Sequence, residues 1–355
     1  MRDLKRIVLG LSGGVDSAVA AKLLKKEGYT VLGVYLKSRR CRDESDAARQ
    51  AANQAGIDFC TIDISDSLEG CVVEPFIRDY LRGRTPNPCI FCNPAVKFPM
   101  LMKAAYGWGA QTVATGHYAR LVSLPTYGGS KLIAAMPCAN DQSYMLYRLP
   151  MNLLQHLVFP LSSLTDKDAV RALASDQQVA ASDKPDSMEI CFIPDNDRIR
   201  FIENEAGAAA VDALRGEFVD QQGNVLGHHE GIHRYTVGQR RGLAMAFGER
   251  AYVTAIDRDR RRVVLGNADD VVKNIIRITE CIWHIPISVP IPVRVRVRHS
   301  RGFADGMLYL ENRSRVAYIK FKNGVRAPAP GQSAVCYMDI DGESNVMIGG
   351  GYIAE

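Results

Sequence analysis

The sequence predicts an α/β fold, a doubly wound parallel sheet of the nucleotide-binding kind, followed by two smaller β-rich domains. Three observations carry that prediction. The apolar run Ile7 to Leu11 ends at a glycine turn and gives way to the helix-like Ala18 to Lys26, the pattern of a buried parallel strand, a tight loop and a helix. The rhythm then repeats: Thr30 to Leu36 reads as a strand, Asp43 to Ala55 as a helix closing near Gly56, and Asp58 to Ile64 as a third strand. From Gly216 onward, short β-like segments with glycine turns replace it.

Bulk properties bound the function classes. A chain of 355 residues can build two or three domains with proper cores, and 47% hydrophobic with 23% charged residues is the balance of a soluble globular protein. No apolar run approaches the ~20 residues of a membrane span, and Met1 to Arg6 leads directly into the first strand, so the expected location is cytoplasmic. Nine scattered cysteines, an odd number, point to reduced thiols and away from a secreted disulfide scaffold. A net charge of +5 permits a nucleic-acid partner without requiring one.

The first loop is the organising stretch. In Ser12-Gly13-Gly14-Val15-Asp16-Ser17, two glycines let backbone N–H groups approach an anion, two serines add hydroxyl donors, and a helix N-terminus adds partial positive charge. Asp16 would repel a bare phosphate and is therefore expected to serve a Mg²⁺ that accompanies it. The loop has no lysine and lacks the Walker spacing. Ligands of such sheets sit off the carboxyl ends of the strands, which places Leu36 beside the adenine pocket.

Further along, Gly83-Arg84-Thr85-Pro86-Asn87-Pro88-Cys89-Ile90-Phe91-Cys92-Asn93 carries two prolines and reads as a stiff, extended loop presenting Cys89 and Cys92. The pair could serve half of a zinc site, a disulfide, an iron–sulfur site or a reactive thiol; no second CxxC or CxxH is available to complete a zinc site. A helical stretch runs to about Gly109. Thr112 to Ala114 ends the next strand, and its carboxyl end carries Thr115-Gly116-His117-Tyr118, with Gly116 allowing close approach to a nucleotide and His117 able to donate to it or to a base. Asn140-Asp141-Gln142-Ser143-Tyr144 reads as a surface loop entering a helix, and Asp166 to Gln178 as an amphipathic helix. Lys184 to Ile193 places Cys191 in a strand-like run.

The later segments are more basic. Arg198 to Ala210 reads as a linker helix, and Gly231 to Leu243 carries Arg234, Tyr235, Gln239, Arg240 and Arg241 on a loop suited to a phosphate backbone. In Val293 to Arg298, period-two alternation puts the valines in a core and Arg294, Arg296 and Arg298 on one exposed face, a basic stripe continued by His299 and Arg301. Pro330 to Ala334 and Gly349 to Ile353 look like barrel turns.

SGGVDS resembles the pyrophosphate-holding loop of the ATP pyrophosphatases. Taken with TPNPCxxCN, TGHY, NDQSY, SMEICF and GIHRYTVGQRRGL in that order, the whole chain resembles the bacterial tRNA-specific 2-thiouridylases. The resemblance implies a sulfurtransferase that uses ATP to adenylate O2 of a wobble uridine and replaces it with sulfur from a donor protein's persulfide. Its partners would be that tRNA and that donor, with no membrane and no DNA. It implies three domains, an ATP pyrophosphatase domain over 1–197, a tRNA-contacting domain over 198–272 and a β-barrel over 273–355. By the same resemblance Cys92 is the nucleophile and Cys191 the persulfide carrier. Gly10, Leu11, the loop Ser12 to Ser17, Leu36 and Gly116 would hold ATP. Asn87, Pro88, Cys89, His117, Asn140, Asp141, Gln142, Arg296, Val297 and Gln332 would meet the target base or the rest of the tRNA. The pattern departs at Cys89, where relatives carry Asp, and at Asn140, where they carry Lys. Cys89 opens an alternative in which Cys89, Cys92 and Cys191 hold a [4Fe-4S] cluster. Without a cluster, the Cys191 persulfide attacks directly, or Cys92 thiolate releases hydrosulfide from it and leaves a Cys92–Cys191 disulfide.

Overall fold

The computed structural model describes residues 5–176, 190–243, 251–299, 302–311 and 315–354, arranged as two compact units. The first comprises residues 1–72, 89–196 and 339–347; the second comprises 73–88, 197–338 and 348–355.

The first unit is built on a five-stranded parallel sheet in the order β3-β2-β1-β4-β7. Its strands are β1 (Arg6–Gly10), β2 (Thr30–Lys37), β3 (Asp58–Asp63), β4 (Val113–Thr115) and β7 (Leu157–Val158). Between β4 and β7 the sequence reading missed an antiparallel hairpin, β5 (Arg120–Leu124) and β6 (Ser130–Ala134), turned through Gly128 and Gly129. Within the same unit Ala134 pairs with Val346. Helix α1 (Val15–Lys26) packs Val19, Ala20 and Leu24 against Ile7, Leu9 and Tyr35 of the sheet. Helix α2 (Ser45–Ala55) ends where Gly56 adopts the left-handed conformation, as its position after the last apolar residue predicts.

The second unit contains two β structures. One is a four-stranded sheet in the order β10-β11-β8-β9, formed by β8 (Gly216–Val219), β9 (Val225–His229), β10 (Tyr252–Asp257) and β11 (Arg262–Gly266). Phe218, Ile232, Val253, Val263 and Leu265 fill its core. The other is a six-stranded barrel of β12 (Val272–Trp283), β13 (Ile291–Arg296), β14 (Ala304–Glu311), β15 (Val316–Arg326), β16 (Ser333–Ile340) and β17 (Glu343–Ile353), of which residues 339–347 of the last two strands are counted with the first unit. It closes through antiparallel pairing of Thr279 with Tyr352 and of Trp283 with Gly349. Gly349 to Ile353 is therefore strand, not turn. Backbone approach explains the glycines there: a Cβ on Gly349 would stand 2.1 Å from the Ile282 carbonyl oxygen.

Four local readings are corrected. The cysteine segment is not extended, because Pro88 opens a helix, Pro88–Cys92, as proline does at a first helical position where its missing N–H costs nothing. Cys191 sits in a turn closed by the Ile193 N–H on the Ile190 carbonyl, while residues 184–189 of that run lie outside the described residues. Asp141 and Ser143 are buried, not on the surface. The arginines of β13 do not form an exposed stripe: Arg296 is buried and lies over the rings of Phe303 and Tyr337, 4.3 and 5.6 Å from their centroids. The valines do face the core, and Arg301 lies outside the described residues.

Candidate active site

The loop after β1 is cross-linked by its serines. Ser12 N–H donates to Ser17 Oγ at 3.1 Å, Ser17 Oγ donates to the Gly14 carbonyl at 3.0 Å, and the two hydroxyls lie 3.2 Å apart. Gly14 caps α1 with no side-chain cap, and its own N–H donates to Ser12 Oγ at 3.4 Å; the first-turn N–H groups of α1 are the donors an anion would meet. Gly13 takes φ +81°, and Leu11 N–H holds the strand end to the Val34 carbonyl at 2.9 Å. Gly116 faces this loop directly; a Cβ there would lie 3.0 Å from the backbone of Asp16 and Ser17. Leu36 is half-buried at the carboxyl end of β2, beside Ile62 of β3. Gly10, Leu11, Val15, Leu36 and Gly116 thus share the sheet's carboxyl edge with the cradle. This arrangement of bare N–H groups and close backbone fits the phosphates of ATP.

Asp16 is fully engaged. Its Oδ1 accepts the Tyr118 hydroxyl at 2.6 Å and its Oδ2 pairs with Lys167 Nζ at 3.3 Å. Tyr118 was read only as the last residue of TGHY, with no role, and Lys167 was not singled out; no motif flags a lysine 151 positions away that folds back onto the loop.

The candidate thiols lie on the segment before the helix Phe98–Gly107 and at Cys191. The helix Pro88–Cys92 places Cys89 and Cys92 on one face, and a π-helical turn, Asn93–Lys97, joins it to the helix Phe98–Gly107. Cys92 is half-buried, Cys89 and Cys191 are exposed. Desolvation pushes the Cys92 thiol up to about 11, opposed by the Lys97 ammonium and a hydrogen bond from the Lys97 backbone N–H. Desolvation also raises Cys89, and Lys97 again opposes it. A hydrogen bond to Cys41 raises Cys191 most strongly, with desolvation adding to it. Cys41 is lowered by the same bond. Lys97 thus acts on Cys89, Cys92 and Cys191 alike, yet the sequence reading passed over it and over Cys41.

His117 joins the two groups. Its Nδ1 lies 2.7 Å from Thr115 Oγ1, its ring stacks on Phe98, and burial with the nearby Lys97 charge holds its pKa well below the usual histidine value, so it is neutral. Gly116 abuts the cradle, and the His117 ring stacks on Phe98, which opens the helix that follows the cysteine segment, so cradle and cysteine segment lie on neighbouring elements of the first unit.

The remaining residues expected to meet the base or tRNA are placed as follows. Asp141 Oδ1 accepts the Met136 N–H and its Oδ2 the Ser143 hydroxyl, both at 2.7 Å, while Gln142 Oε1 accepts the Tyr118 N–H at 3.1 Å. Asn140 is half-buried beside them. In the second unit, Gln332 donates to the Thr85 carbonyl at 2.6 Å, bracing the stretch that leads to Asn87 and Pro88. Val297 is buried, Arg298 donates to the Val237 and Ala327 carbonyls, and Arg234 pairs with Glu203 at 2.6 Å. Arg240 and Arg241 are exposed. Among the described residues no three His, Cys, Asp or Glu side chains converge on a metal position, so the cluster alternative on Cys89, Cys92 and Cys191 has no support. No helix of the described residues is long and apolar enough to cross a membrane.

The fold and the loop after β1 define an α/β protein of the nucleotide-binding kind, with a phosphate cradle at the carboxyl edge of its parallel sheet. Family models match along the chain: the tRNA methyl transferase HUP domain over residues 5–195, the tRNA methyl transferase PRC-barrel domain over 204–267 and the aminomethyltransferase beta-barrel domain over 273–353. The tRNA-specific 2-thiouridylase MnmA of Geobacter metallireducens is 38% identical over 98% of this chain and 96% of its own. That of Acidithiobacillus ferrooxidans is 39% identical over 98% of both. A third, MnmA 2 of Caldanaerobacter subterraneus subsp. tengcongensis, is 38% identical over 99% of both. The chain belongs to the tRNA-specific 2-thiouridylase family.

Proposed function

We propose that this protein is a tRNA-uridine 2-sulfurtransferase that converts a wobble uridine to 2-thiouridine, with ATP cleaved to AMP and pyrophosphate. The observation that carries the reading is the Ser12–Ser17 cradle with Gly116 against it and the His117 ring stacked on the helix that follows the cysteine segment. The family models carry a methyltransferase description and the relatives a thiouridylase name. Cysteines on an element neighbouring a phosphate cradle suit sulfur transfer and have no evident use in methyl transfer.

Uridine O2 is a poor leaving group, and C2 is a weak electrophile. Attack of O2 on the α-phosphate turns it into part of an AMP leaving group, and the bare N–H groups of α1 with Ser12 and Ser17 receive the pyrophosphate. Mg²⁺ arriving with ATP would neutralise phosphate charge, with Asp16 as its nearest carboxylate once Lys167 exchanges to the phosphates. His117, neutral and half-buried, can hydrogen-bond without adding charge. Cys191, exposed, is accessible to a donor protein's persulfide and carries the sulfane sulfur; Cys92 is the nucleophile that frees hydrosulfide from it for attack at C2. The uridine must leave its stack to reach the thiols.

The test is tRNA-dependent release of AMP and pyrophosphate. Release that requires a tRNA with a wobble uridine supports the reading. AMP formation that is indifferent to tRNA would replace it with adenylation of a small molecule.

A further inference from the structure

Asp16 is held from two sides by elements far apart in the chain. The Tyr118 hydroxyl donates to Oδ1 at 2.6 Å and the Lys167 ammonium meets Oδ2 at 3.3 Å, so both carboxylate oxygens already have partners. The Lys167 side chain is 13% exposed and that of Asp16 29%, so water screens the pair only in part. Each partner is fixed by its own surroundings. Tyr118 is buried, and Gln142 clasps its backbone in both directions: Tyr118 N–H donates to Gln142 Oε1 at 3.1 Å, and Gln142 N–H donates to the Tyr118 carbonyl at 2.7 Å. Lys167 opens the helix Lys167–Asp176, whose Val170 and Ala174 share a core with Val19 and Ala20 of α1. A cation at a helix N-terminus opposes the helix dipole, so this lysine does not serve its own helix. Its ammonium lies over the Tyr118 ring, 5.9 Å from the centroid, and beside the phosphate cradle that Asp16 belongs to.

We infer that Lys167 is a stand-in cation that occupies Asp16 until phosphate arrives, so that the carboxylate accepts a divalent cation only together with the nucleotide. The inference rests on the reading of Ser12 to Ser17 as the pyrophosphate cradle. Without nucleotide, Asp16 and Lys167 neutralise each other, and a divalent cation taking Asp16 would leave the half-buried ammonium beside it unpaired. A polyphosphate in the cradle supplies the negative charge that both cations need: Lys167 exchanges Asp16 for the phosphate, and Oδ2 opens. A carboxylate oxygen next to phosphate oxygens is the hard donor set that Mg²⁺ takes. Tyr118 and Gln142 are positioning residues in this exchange. Tyr118 keeps its hold on Oδ1, and Gln142 keeps Tyr118 in place, so the carboxylate stays fixed while Oδ2 changes partner.

The experiment measures Mn²⁺ bound to the full-length protein by equilibrium dialysis at fixed free Mn²⁺, with and without pyrophosphate. The wild type should bind Mn²⁺ with pyrophosphate and not without it. Lys167→Met should bind Mn²⁺ without pyrophosphate at least about tenfold more tightly than the wild type does, and Lys167→Arg should behave as the wild type. Adding Asp16→Asn to Lys167→Met should remove the gained site. Wild type that takes up Mn²⁺ equally with and without pyrophosphate would overturn the inference, a result that depends on no variant. So would a folded Lys167→Met that gains no Mn²⁺, or a gained site that survives Asp16→Asn. If the wild type binds neither pyrophosphate nor Mn²⁺ when both are present, the cradle reading itself falls, and the role of Lys167 with it.

Discussion

Lys97 stands five residues after Cys92, across the π-helical turn Asn93–Lys97, and its ammonium, helped by its backbone N–H, opposes the rise that burial gives the Cys92 thiol. Both favour the thiolate. Replacing Lys97 by Met should slow alkylation of Cys92 at pH 8 by about tenfold, the effect of one pKa unit, while Lys97→Arg keeps the charge and recovers most of the rate. Peptide-resolved iodoacetamide kinetics read this directly. An unchanged rate in Lys97→Met would leave Lys97 with no part in Cys92 reactivity.

The pH dependence follows from Cys92, whose thiol is pushed up to about 11. Its thiolate fraction, and with it the alkylation rate, should rise about tenfold per pH unit from 7 to 10 and level off only above 11. The sign for stability is opposite. The folded protein keeps this proton more tightly than the unfolded chain, so the contribution is full below the ordinary thiol pKa of 9.0 and is lost as pH rises from there through about 11. Urea titrations at pH 8 and pH 10.5 should show the lower midpoint at the higher pH.

Gly116→Ala tests the cradle. Its Cβ would come within 3.0 Å of the Asp16 and Ser17 backbone, which has no flexible end to give way. The loop must shift by a few tenths of an ångström, and ATP affinity should fall at least tenfold, or about 1.4 kcal/mol, by calorimetry. Unaltered affinity would place the phosphates elsewhere.

Asp141 should prove a stability residue. It accepts from the Met136 N–H and the Ser143 hydroxyl in a buried position, so Asp141→Ala leaves both donors without their acceptor and should cost about 1–3 kcal/mol in chemical denaturation. Loss of tRNA binding with no loss of stability would instead restore the surface-reading role expected from the sequence.

What the sequence made legible has a physical pattern. Strands β1 to β4, α1 and α2 were readable because buried strands and amphipathic helices impose period on adjacent residues, and Gly56 ends its helix for a local reason; the two-residue β7 was missed because it is too short to show a period. The cradle was readable because it is contiguous. The Cys89–Cys92 segment misled because two prolines suggest extension, whereas a proline at the first position starts a helix. Alternation in β13 correctly buried the valines but could not reveal that Phe303 and Tyr337 cover Arg296. Cys41, Lys97 and Lys167 were missed because their partners are distant in sequence or lie across an unusual helical register. Nothing local marks them.

The most direct test is mass spectrometry of tRNA nucleosides after incubation with ATP, Mg²⁺ and a persulfide source, comparing wild type with Cys92→Ala and Cys191→Ala. The account predicts 2-thiouridine from the wild type and none above background from either variant. Wild type that makes no 2-thiouridine, or product that survives loss of both thiols, would contradict it.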